Sequence, residues 1–342
     1  MFYDELYDDE DGTMKLRSMT KDNFFKYLGA QNSPWQKDYL AMYSSQWGCV
    51  TTDPELMMVP IDDHLVHRGD GVFDVMRCVR GKIYQMEEHL QRLDRSAKAI
   101  SLNFPPDYGH IREIIKRLVL IGGERDCLIR VTLSRGPGSF SPNPYECPSS
   151  QTYINVIRFR ALSDKYYKEG VSVVTSSIPI KKSFFANIKS CNYLPNVLMK
   201  KEAIDLGCQY SIALDEHDLL AEGSTENIGL LTSDGILKFP KFERTLSGIT
   251  ANRAFQLAGE LVKEEIIEDV EFAAISPEEA YQSREIFLTG TTLNLLPVVS
   301  YDGKCIGNGT PGPVYSRLSS LLWEDMTQNR ERLTEIDWEL RG

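Results

Sequence analysis

The feature that most constrains this chain is a strand-to-helix junction at its centre. Val171-Ser-Val-Val-Thr-Ser-Ser-Ile178 has the β-branched composition of a strand, and Leu194 to Leu206 repeats apolar residues at helical spacing. Between them runs Lys181-Lys-Ser-Phe-Phe-Ala-Asn-Ile-Lys189-Ser-Cys-Asn-Tyr193. Lys189 has Phe184, Phe185, Ala186 and Ile188 as apolar neighbours. An amine partly desolvated there shifts toward the neutral, nucleophilic form that Schiff-base chemistry requires. Taken alone, such a lysine also reads as a surface residue at a helix start.

A chain of 342 residues buries a sizeable core and is expected to form two domains. The expected division is an N-terminal extension over 1–40, a smaller domain over 41–162, a linker over 163–172, a larger domain over 173–328 and a polar tail over 329–342. A net charge of −11 argues against non-specific binding to nucleic acid or anionic membrane. Part of it is local: Asp4, Glu5, Asp8, Asp9, Glu10 and Asp11 make a short acidic arm that reads as disordered and is not a secretory signal. Seven scattered cysteines without a CxxC pair suit a reducing compartment, cytoplasm or organelle stroma or matrix, and neither a disulfide framework nor a zinc site. No apolar run reaches membrane-spanning length, and His64, His67, His89, His110 and His217 form no ligand pattern, so no metal is expected.

From Thr20 to Trp47 the aromatics Phe24, Phe25, Tyr27, Trp35, Tyr39 and Tyr43 recur at roughly helical intervals, with core packing as the expectation. Gly69 and Gly71 bracket Asp70 in a turn before a strand over Val72–Val79. Glu87 to Ala97 is a helix with Leu90, Leu93 and Ala97 on one face, and Arg92 beside that stripe either snorkels or reaches an anion. A second helix is predicted from about Tyr108 to Ile121. The strand Cys127–Ser134 sets Leu128 and Arg130 on one face, and Arg135 to Pro144 reads as a long loop.

Downstream, Glu222-Gly223 lies at a strand edge, where a carboxylate usually faces solvent. Thr245 to Ala251 precedes a helix, so its N–H groups and the Ser247 and Thr250 hydroxyls form either a simple cap or a phosphate site. Thr289-Gly290-Thr291-Thr292 ends another strand with three hydroxyls.

Six blocks in one order, HRGDGVFDVMR (67–77), EEHLQRLDRSA (87–97), KSCNYLPNVL (189–198), AEGSTENIGLL (221–231), LSGITANR (246–253) and FLTGTTLNLLPV (287–298), resemble the fold-type IV pyridoxal-phosphate enzymes, the class IV aminotransferases. The resemblance implies an α/β (α+β) fold with a small N-terminal domain and a larger barrel-like one, a homodimer, and pyridoxal 5′-phosphate as cofactor. It makes Lys189 the amine that holds the cofactor as a Schiff base and moves the α-proton. Glu222 would keep the pyridine nitrogen protonated. Arg92, Ile249, Thr250 and Thr291 would bind the phosphate, Leu246 would pack on the ring, and Tyr193 would hydrogen-bond the ring 3′ oxygen.

Local stretches such as MYSS (42–45) and VTSSIPIK (174–181) are most similar to the plant-type group of D-amino-acid transaminases and aminodeoxychorismate lyases. The resemblance therefore implies amino transfer between an amino acid, expected to be D, and a 2-oxo acid, with lyase, branched-chain L-transaminase or non-catalytic cofactor carrier as alternatives. Branched-chain members carry a tyrosine where this chain has Arg68. The arginine and histidine of the bacterial D-enzymes are replaced by Phe140 and Pro142. The expected carboxylate partners are instead Arg68, donated across a dimer interface, and Arg130, with Arg77 third. Phe73 and Val75 would wall the side-chain pocket, and Thr292 would complete the substrate contacts.

Overall fold

The computed structural model describes residues 19–30 and 33–341; the acidic arm lies outside them. Strands β1 (Tyr39–Ser44), β2 (Cys49–Thr51), β3 (Gly71–Val79), β4 (Lys82–Tyr84), β5 (Cys127–Ser134) and β6 (Gln151–Arg158) form one antiparallel sheet. A second, mixed sheet holds β7 (Val171–Thr175), β8 (Tyr210–Leu214), β9 (Leu220–Gly223), β10 (Asn227–Leu231), β11 (Ile236–Pro240), β12 (Asp269–Ala273), β13 (Glu285–Gly290), β14 (Asn294–Tyr301) and β15 (Lys304–Cys305). The last strand, β16 (Leu333–Glu335), returns to the first sheet and pairs with β4. The helices are α1 (Lys21–Ala30), α2 (His64–Arg68), α3 (Met86–Ala99), α4 (Ile111–Gly122), α5 (Asp164–Glu169), α6 (Ser183–Ala186), α7 (Leu194–Asp205), α8 (Ile249–Lys263), α9 (Pro277–Tyr281) and α10 (Pro313–Gln328).

Alternation along β3 separates two functions. Val72, Met76 and Cys78 point one way and pack with Ile129, Val131, Ile154 and Val156 and with the apolar faces of α3 and α4 into one core. Phe73, Val75 and Arg77 point the other way, toward the second sheet. Cross-strand pairing sets Arg130 of β5 opposite Val75 and therefore on that same side.

The second sheet must curl. Its strand order is β12-β11-β10-β13-β14-β7-β8-β9, so β9 and β10 stand five places apart. Five inter-strand steps on a flat sheet span about 24 Å. Only residues 224–226 join the two strands, and a link of that length reaches about 14 Å. The sheet closes on itself as a barrel-like surface, with α8 and α10 packed against Leu237, Phe239, Phe287 and Leu295.

The central junction ties the sheets together. The Phe73 N–H donates to the Lys189 carbonyl at 2.9 Å, and the Cys191 N–H donates to the Gly71 carbonyl at 2.9 Å. The segment after α6 thus extends the edge of β3 and fixes the Lys189 backbone between the sheets.

Three expectations change. The aromatic stretch from Thr20 to Trp47 is a helix, a turn and a strand, and Phe25 and Trp35 stay 64% and 63% exposed, because helical spacing alone supplies no packing partner. The region read as a polar tail contributes β16, an edge strand. The region read as a linker holds α5 and the first residues of β7.

Candidate active site

Both sides of the Lys189 peptide are held. Its N–H donates to Ser96 Oγ of α3 at 3.2 Å, and its carbonyl accepts from β3. The side chain lies over an aromatic wall, with Nζ 5.0 Å from the Phe73 ring centroid. The Phe73 and Tyr193 rings meet edge to face at 5.2 Å. Burial, followed by the nearby charge of Arg92, lowers the Lys189 pKa to about 8, against the opposing pull of Asp74 and Glu222. A substantial fraction of this amine is neutral in a mildly alkaline medium, unlike that of a solvated lysine.

Glu222 is not on a solvent-facing edge. β9 carries it into the same hollow as Lys189, Tyr193 and Leu246, where Lys181, Asn196 and Glu226 also project. Burial raises its pKa to about 7, although the Leu246 N–H donates to Oε2 at 3.0 Å and both lysines attract it. The Leu246 backbone is itself pinned, its carbonyl accepting from Asn227 Nδ2 at 3.0 Å. A Cβ at Gly248 would stand 1.8 Å from Asn227 Oδ1, so any side chain there would displace the amide that pins Leu246.

Arg92 reaches an anion, and that anion is Asp74. Nε and Nη2 donate to Oδ2 and Oδ1 at 2.8 Å each, deep in the protein. His89, one turn earlier on α3, donates from Nδ1 to the same Oδ1 at 2.7 Å. Burial works to raise the Asp74 pKa, but the charge of Arg92, supported by His89, holds the carboxyl well below the usual range. The remaining guanidinium nitrogen, Nη1, donates to the Ser247 carbonyl at 3.2 Å. Arg92 is thereby brought to the start of α8, whose first N–H groups have no side-chain cap. Ile249 and Thr250 lie in that first turn. A cation beside an uncapped helix N-terminus is a setting for a phosphate dianion.

The residues expected to bind substrate separate into groups. Arg130 joins Lys189: its guanidinium stacks on Phe73 at 3.8 Å and acts electrostatically on Lys189, Cys191 and Tyr193. No carboxylate among the described residues pairs with it. Val75 faces it across the strand pair. Arg77 goes elsewhere. It shares a smaller hollow with His89, Thr250 and Thr291, held by Phe159 at 3.7 Å and by Asn294 Oδ1 at 3.2 Å. It lines that hollow and not the one that holds Lys189. Arg68, the last residue of α2, is exposed and donates to the carbonyls of His67 and Phe140; within one chain it does not enter the Lys189 hollow. Thr292 is exposed and lines neither hollow.

Asp74, His89, Lys181 and Glu226 were missed in the sequence. A signal for the first two was present: Asp74 alternates with Phe73 along β3, and His89 and Arg92 are three apart on one helix face. What was missing was the docking of α3 against β3.

Together these groups fit a phosphorylated pyridine aldehyde. An amine of lowered pKa, an acid, a phenol and an arginine beside an open helix N-terminus converge from four segments, and Asn196 Oδ1 remains a buried acceptor without a donor among the described residues. Known proteins agree. The model of the amino-transferase class IV family matches residues 71–301. The chain is 40% identical over 291 residues to the chloroplastic D-amino-acid transaminase of Arabidopsis thaliana, covering 85% of this chain and 77% of that one. It is 29% identical to the D-alanine aminotransferase of Bacillus licheniformis over 77% of this chain and 90% of that one. In structure it is similar to a T.th. branched-chain amino acid aminotransferase with pyridoxamine 5′-phosphate, at a TM-score of 0.80 and 27% identity, covering 87% of this chain and 99% of that one.

Proposed function

The chain belongs to the class IV aminotransferase family, and on that premise we propose that it transfers an amino group between a D-amino acid and a 2-oxo acid with pyridoxal 5′-phosphate. The observation that carries this reading is the convergence of Lys189, Glu222, Tyr193 and Leu246 on one hollow, with Arg92 close enough to act on Lys189.

The cofactor, when bound, supplies an aldehyde that takes up the amino group and a ring that draws electrons from the α-carbon. Lys189 Nζ, neutral above about pH 8, is the nucleophile that holds the aldehyde carbon and the base that accepts and returns the α-proton. Glu222, with Oε2 engaged by Leu246, holds a proton at the ring nitrogen. Tyr193 donates to the ring oxygen, and Leu246 packs on the ring. Arg92, oriented by the Asp74 carboxylate that His89 also holds, binds phosphate with Ile249, Thr250 and Thr291. Arg130 binds the substrate carboxylate, because its guanidinium lies on the wall that carries the reacting amine and has no carboxylate partner among the described residues. Phe73 and Val75 line the side-chain space.

Exposed apolar residues cluster near this region: Phe184 and Phe185 on α6, and Leu194 and Val197 on α7. They support a homodimer, in which Arg68 could serve the partner's site. The chloroplastic relative and seven free cysteines support a reducing compartment, an organelle or the cytosol. No helix among the described residues is long and apolar enough to cross a membrane.

A branched-chain L-transaminase is the second reading, favoured by the structural likeness to such an enzyme. Single-turnover absorbance with D- and L-alanine, D- and L-glutamate, L-leucine and aminodeoxychorismate separates them. D-alanine or D-glutamate reacting fastest supports the proposal. L-leucine reacting fastest, or pyruvate released from aminodeoxychorismate, overturns it.

A further inference from the structure

A second lysine shares the hollow with Lys189. Lys181 lies on the loop between β7 and α6 and lines the same walls as Tyr193, Glu222 and Glu226. Its Nζ stands 5.1 Å from the Tyr193 ring centroid, on a ring whose edge contact is Phe73. It makes no ion pair among the described residues. Burial lowers its pKa, and the leading charge acting against that shift is Glu222, followed by Cys191.

The groups that act on Glu222 come from three segments. Lys181 and Lys189 are contributed by the stretch between β7 and α7, the Leu246 N–H by the segment before α8, and Glu226 by the turn between β9 and β10. Glu226 is a like charge and opposes ionisation of Glu222, so the two carboxylates need positive charge nearby. Lys189 cannot supply it steadily, because it must lose its proton to work. Lys181 has no such duty.

We propose that Lys181 is a positioning residue, the standing counter-charge of Glu222, whose ammonium seated on Tyr193 keeps the carboxylate and the phenol ready for the two polar edges of the cofactor ring while Lys189 changes charge. This rests on the cofactor reading above and adds a group to which that reading gave no role.

The test uses the full chain as Lys181→Met, Lys181→Gln and Lys181→Arg. Two readouts are followed: the Glu222 titration midpoint in the cofactor-free protein, by infrared carboxyl absorbance assigned with Glu222→Gln, and the pyridoxal-phosphate dissociation constant by fluorescence. Removing the ammonium is expected to raise the Glu222 midpoint by about one pH unit and to weaken cofactor binding roughly tenfold. Lys181→Arg should restore both. If Met does not fold, as judged by circular dichroism, Gln carries the comparison. An unchanged Glu222 midpoint in the folded neutral variants overturns the proposal. Failure of the parent reading looks different: the wild-type protein would bind no pyridoxal phosphate, whatever the midpoint does.

Discussion

The Phe73 N–H donates to the Lys189 carbonyl at 2.9 Å, and the ring of the same Phe73 lies 5.0 Å from the Lys189 amine. One residue of the first sheet thus fixes both the backbone and the side chain of the lysine proposed to react. Arg130 lies over the same ring, 3.8 Å from its centroid.

Replacing that ring tests its double role. Phe73→Leu keeps a buried apolar residue but removes contacts to two cations, each worth about 0.5–2 kcal/mol. The expected result is a folded, cofactor-loaded enzyme with KM for the amino acid raised several-fold, measured by steady-state kinetics against wild type.

Arg130 and Arg77 should separate in kinetics. Loss of a charge-assisted hydrogen bond costs about 1.5–3 kcal/mol, so Arg130→Met should raise KM roughly 10- to 100-fold and leave pyridoxal-phosphate affinity near wild type. Arg77→Met should do the reverse, weakening cofactor retention in dialysis, because Arg77 shares its hollow with Thr250 and Thr291.

Asp74 is a buried carboxylate whose removal strands Arg92 and His89. Asp74→Ala should destabilise the protein by about 3–5 kcal/mol, read by urea unfolding. Its depressed pKa sets the direction of the pH dependence. The contribution is present above the ordinary carboxyl range and is lost as pH falls through and below it, so the difference from wild type should shrink in acid.

Cofactor capture should follow the state of Lys189. With a pKa of about 8, the neutral fraction grows tenfold per unit at lower pH and saturates above 8. The association rate of pyridoxal phosphate with cofactor-free protein should climb from pH 6 to about 8 and then level off, whereas a solvated lysine would still be climbing near pH 10.

Much of this site was legible in the sequence because local pattern specified it. The alternation of Cys127–Ser134 gave the strand and the side of Arg130, whereas the junction alone left Lys189 open to a surface reading and the six ordered blocks pointed to it. Less was legible where tertiary pairing decides. Asp74 could be assigned to the side of β3 opposite Phe73, but nothing local says that α3 will set His89 and Arg92 against it. Arg77 could be set on the Phe73 side of β3, but nothing local says that Phe159 and Asn294, distant in sequence, hold it beside Thr250 and Thr291. The three residues of β16 are too few and too polar to declare a strand, and it is the open edge of β4 that makes them one.

The central claim is that Lys189, and no other amine, carries pyridoxal phosphate. Borohydride reduction of the loaded protein fixes the cofactor to the lysine that holds it, and peptide mass spectrometry then locates the adduct. The account predicts one pyridoxyl group on Lys189 and none on the Lys189→Ala protein. An adduct on Lys181, or no cofactor mass at all, would contradict it.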